Sequence, residues 1–228
     1  EVKVVVKDSE DKVVRELKGP KEVGINRTNW DLRHDAPVQP EPGSPQEFLR
    51  QPRGPLVPLG NYTVTVSVGS FTATKPVAVE EDPRIQIGAA DRKTWYDAVR
   101  AGAKVWAQAD AANKTASSLK KQLTEQQEAL NKNAKAPEAV KTAVKALLDK
   151  VEPLTKRLSR QDPVGFAGAP LAEDPEPLLA RARGVYFAIG SITAPPTPQH
   201  RDLLGRVTQD VGEAAQSLNA LVETEVPA

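Results

Sequence analysis

The 228-residue chain has no cysteine, no methionine and two histidines, and aromatic residues make up only 4% of it. Without cysteine there is neither a disulfide framework nor a thiolate metal site, although that absence chooses no compartment. Scarce aromatics and an apolar fraction of 39% argue for thin cores of small aliphatic side chains rather than one large globular core. Neither sign of charge dominates, since 31 basic residues against 30 acidic ones leave a formal charge of +1. With no long basic run, the electrostatic footprint of a nucleic-acid binder is missing. The longest apolar stretch, Gly184 to Ala194, is too short to cross a bilayer, so no membrane span is expected. A start at Glu1 reads as a processed mature protein or a piece of a longer one.

What is present changes character near residue 90. Before it, β-branched residues and proline dominate; after it, Ala, Leu, Lys, Gln and Glu. The expected fold class is therefore mixed, with two segregated domains: an all-β immunoglobulin-like sandwich over residues 1–86 and an all-α antiparallel bundle of about four helices over 87–228. Val2–Lys7 and Lys12–Leu17, joined by the polar turn Asp8–Asp11, read as a hairpin. Gly24–Arg33 is a third candidate strand. Asn61–Val68 alternates apolar and polar residues at period two, which gives one buried and one wet face. Gly69-Ser70 turns it back into Phe71–Val79. Short antiparallel strands at this spacing suggest a sandwich with Trp30 in its core. The Pro-rich loop at 35–58 would either carry function or lack fixed order.

In the second half, Trp95, Ala98, Gly102, Val105, Ala109, Ala112, Ala116, Leu119, Leu123, Gln126 and Leu130 recur at spacings of three and four. That is a heptad seam on a helix from about Asp91 to Lys132. Its Ala/Gly middle admits a close neighbour. Pro137 opens a second helix with seam residues Val140, Val144, Leu147, Val151, Leu154 and Leu158, and Pro153 should kink it. After a linker over 161–175, Leu178–Ile192 reads as a third helix. Thr197 caps a fourth, with Pro198 in its first position and a seam of Leu204, Val207, Val211, Ala214, Leu218 and Leu221. The long first helix outreaches the second, so the expectation is an intramolecular bundle with part of one long helix left for another protein, or, as the alternative, a fully self-satisfied bundle.

Candidates for chemistry are few. His34 and His200 lie in no catalytic motif and read as solvated surface residues. There is no Gly-x-Ser-x-Gly elbow, phosphate loop or His-Glu-x-x-His pair. Glu80-Glu81-Asp82 on extended chain would point to alternate sides rather than converge on an ion. The sequons at Asn26, Asn61 and Asn113 are short enough to occur by chance. Trp30, Trp95 and Trp106 would serve packing rather than a sugar-stacking platform. The expectation is a chain with no catalytic, cofactor-binding or metal-binding residues and no cofactor.

One ordered series of motifs is more specific. Val13-Val14-Arg15, Gly24-Ile25-Asn26-Arg27, Trp30-Asp31-Leu32-Arg33, Gly54-Pro55, Gly60-Asn61-Tyr62-Thr63-Val64 and Asp82-Pro83-Arg84 occur in that order. The series, over about residues 1–90, resembles the C-terminal region of bacterial sortilin-type (BNR-repeat) β-propeller proteins, where a fibronectin-like domain and a helical segment follow the propeller. Leu59 departs from the family's usual Pro before Gly60. No propeller is present, so none of its functions is implied. The resemblance implies a non-catalytic, extracytoplasmic (periplasmic or secreted) bacterial accessory module that binds or scaffolds protein partners. The alternatives are a carbohydrate-binding module and a non-catalytic appendage of an upstream hydrolase.

Overall fold

The computed structural model describes residues 1–39, 53–159 and 176–225. Residues 40–52 of the Pro-rich loop and the 161–175 linker lie outside the described residues. Strands β1 (Val2–Lys7), β2 (Val13–Gly19), β3 (Gly60–Val68) and β4 (Phe71–Val79) are followed by helices α1 (Ala89–Lys132), α2 (Glu138–Leu158), α3 (Leu178–Gly190) and α4 (Pro198–Glu225). The β-then-α layout and the four helices agree with the sequence pattern. The chain forms two compact units, Glu1–Arg100 with Thr193–Pro195, and Ala101–Ile192 with Pro196–Ala228. Their division falls inside α1.

The four strands form one antiparallel sheet in the order β2-β1-β3-β4. Its register puts Val2, Val4 and Val6 on the same face as Tyr62, Val64, Val66 and Val68, and as Phe71, Ala73, Val77 and Val79. Lys3, Thr63, Thr65, Ser67, Thr72 and Thr74 lie on the other face. That is the two-residue periodicity of a sheet with one wet side. A bulge at Val6/Lys7 shifts the register against β2 and turns Val14 into the core, where it is buried. The core comprises Val6, Val14, Val57, Tyr62 and Val79, with Trp30 and Val64 packed against it.

The layer over this face is irregular chain. Gly24–Arg33 forms no strand, contrary to expectation, and its sole ladder contact is an isolated bridge from Arg33 to Leu56. The reason is local: Gly24 has φ +107° and Leu32 φ +57°, both outside the extended region a strand needs. Trp30, within this irregular layer, is half-buried against the core, while Leu32 is exposed. Arg33 donates to the Gly54 carbonyl at 2.8 Å.

In the helical unit the middle of the α1 seam is buried, while towards its end Gln126 is exposed and Leu119 and Leu130 are half-buried. Ala109 and Ala116 are fully buried, and Gly102, Val105, Ala112 and Leu123 are buried too. A Cβ on Gly102 would lie 3.3 Å from Tyr186 Cα, so α1 and α3 approach closely there. Leu123 clusters with Leu147 and Val151 of α2 and Leu221 of α4. Asp210 of α4 accepts Arg181 of α3 at 2.7 Å and lies 3.9 Å from Arg157 of α2. The His200 N–H donates to Thr197 Oγ1 at 3.2 Å, the expected N-cap, and Pro198 opens α4.

Candidate interaction surface

Tyr62 organises the covered end of the sheet. It sits near the start of β3, and its hydroxyl donates back to the Pro58 carbonyl at 2.7 Å. Burial first, then the nearby Tyr96 and Asp8, push its pKa up to about 12. The Trp30 ring meets it edge-on at 5.4 Å, and Trp30 Nε1 donates to the Arg33 carbonyl at 3.1 Å. Gly54 lies against the same segment. A Cβ there would fall 2.1 Å from the His34 carbonyl oxygen, so only glycine lets the two backbones pass.

The other end of the same face is open. Val68 and Phe71, paired with each other across β3 and β4, are 46% and 65% exposed. All β4 residues before Val79 are exposed. Edge strands with free N–H and C=O groups are templates for added strands. Pro76 and Lys75, the latter on the apolar face, are features that limit such pairing. Above the sheet, the Asn26 side chain accepts from the Glu22 N–H and donates to the Glu22 carbonyl. That brace fixes a turn from which Val23 and Ile25 project fully into solvent.

The sequence candidates are scattered. His34 is not the solvated residue expected. It is half-buried, and its Nε2 contacts Tyr96 Oη at 2.9 Å. It was missed because its partner is 62 residues away and no local motif announces it. His200 lies in the first turn of α4. Glu81 pairs with Arg92 and Asp82 with Arg84, so the acidic run is divided between two cations. Trp95 and Trp106 are buried, the latter packed on Tyr186 and Phe187 at 5.4 and 5.6 Å. In the Ala-rich middle of α1, Ala109, Ala112 and Ala116 are buried.

Among the described residues, no helix is long and apolar enough to cross a membrane. No family model matches the chain, and neither a curated protein nor a solved structure matches it.

Proposed function

We propose that the chain is a non-catalytic accessory module that docks other proteins on the open end of its sheet. The observation that carries this reading is the exposed pair Val68 and Phe71, which continues the core face beyond its cover beside a free edge strand. Exposed contiguous apolar surface on a sheet commonly marks a protein contact. The immunoglobulin-like reading is supported by the strand order β2-β1-β3-β4, that of one sheet of such a sandwich, and by the Tyr62–Pro58 hydrogen bond, which resembles a tyrosine corner. The extracytoplasmic setting and the association with a bacterial sortilin-type propeller rest on the motif series over residues 1–90. A carbohydrate-binding reading has less support, because Trp95 and Trp106 are buried and Trp30 is half-buried.

A photo-cross-linking residue placed at position 71 tests the docking face against one placed at Thr65 on the polar face. Capture of a protein from the native source at 71, suppressed by Val68→Thr and absent at 65, is expected. Equal capture from both faces overturns the reading.

A further inference from the structure

The surroundings of His34 carry an inference independent of the docking face. Its backbone is held on two sides: the N–H donates to the Pro55 carbonyl at 2.9 Å, and the carbonyl accepts from Arg15 Nη1 at 2.9 Å. The ring is thereby presented to Tyr96, in the first turns of α1, and the two polar atoms meet at 2.9 Å. Arg100, one turn further on, donates to the same phenol oxygen at 3.5 Å, and its guanidinium lies 5.8 Å from the Tyr96 ring centroid. One polarity satisfies all three groups. Arg100 donates to Tyr96, Tyr96 donates to His34 Nε2, and the neutral imidazole keeps its proton on Nδ1. A protonated His34 has no lone pair left on Nε2. Its N–H and that of Arg100 would then both donate to one phenol oxygen, whose own proton loses its acceptor, with two cations side by side.

We infer that His34, Tyr96 and Arg100 form a proton-sensitive latch, which fastens the segment at His34 to the first turns of α1 and releases it in mildly acid solution. The other charged groups around it are Asp35 and Asp8, which face His34, Asp97 beside Tyr96, Lys12, which faces Arg100, and Arg15 in β2. Arg15 is 3.2 Å from Asp35 and so draws that carboxylate towards itself. Burial first, then Arg100, hold the His34 pKa below its ordinary value, and Asp35 and Asp8 oppose them more weakly. The unfolded chain therefore takes up the proton first as pH falls. The latch contributes fully above about pH 6.5, the ordinary histidine value, and is lost as pH falls through the lower folded value.

The test is an NMR titration of the full chain from pH 8 to 5, with His200→Gln leaving His34 as the single histidine signal. The His34 and Tyr96 ring signals should move with one midpoint, and the amides of residues 92–100 should lose exchange protection over the same window. Arg100→Gln should raise the midpoint. Tyr96→Phe should leave His34 titrating without any response in α1, and His34→Gln should abolish the pH response of those amides. A Tyr96 signal and α1 amides that stay unchanged while His34 titrates overturn the latch. So does an α1 response that persists unaltered in His34→Gln.

Discussion

The sheet unit and the helical unit dispose of their apolar faces differently. In the helical unit, regular elements cover one another: Val207, Val185, Ala182 and Ala214 are fully buried, as are Val151 and Leu158. In the sheet unit one regular layer meets an irregular one, which covers Val6, Val14, Tyr62 and Val79 but leaves Val68 and Phe71 open. A helix presents a stripe that a neighbouring helix can close along its length. A sheet presents a whole face, and an irregular segment closes only the part it crosses.

Substitutions can break this contrast, beginning with the largest effect. Leu158→Ala removes a fully buried side chain and is expected to cost about 4 kcal/mol, read by denaturant unfolding and exchange of the α2 amides. A cost near zero would mean that the helices close less tightly than their burial indicates.

Gly54→Ala sets a Cβ against backbone oxygens of His34 and Asp35, at 2.1 and 2.4 Å. Backbone cannot swing aside as a flexible side chain does, so a loss of about 3 kcal/mol is expected. Wild-type stability in this variant would show that the covering layer is loose. Trp30→Ala removes a half-buried ring, together with its edge contact to Tyr62. About 2 kcal/mol is expected, less than for a fully buried tryptophan. A loss as large as that of Leu158→Ala would show that the irregular layer seals the sheet as well as a regular one does.

Phe71→Ser sharpens the contrast from the other side. At 65% exposure the ring adds little to folding, and a change within about 0.5 kcal/mol is expected. The same variant should lose partner capture. A large drop in melting temperature would show instead that Phe71 belongs to the core.

Much of the fold was legible in the residues. The alternation through Asn61–Val68 and the hairpin turn at Gly69-Ser70 correspond to β3 and β4. The three-and-four spacing from Trp95 to Leu130 corresponds to α1, and Thr197-Pro198 to the start of α4. Gly24–Arg33 was misread, because its β-branched and aromatic residues suggest a strand while positive φ at Gly24 and Leu32 breaks one. The His34–Tyr96 contact was not legible at all, since it joins a loop to a helix across 62 residues.

The sequence by itself determined the order of elements, the apolar stripe of each helix and the wet and dry faces of the sheet. Periodicity is a property of the local chain, and water reads it one residue at a time. Only the tertiary structure decided what closes over each face. The cover of the sheet comes from segments without periodicity, held by single contacts such as Tyr62 to Pro58 and Arg33 to Gly54. The close approach of α3 to α1 rests on the missing side chain at Gly102, which lies against Tyr186. Both depend on distances between residues remote in sequence, which no local pattern encodes.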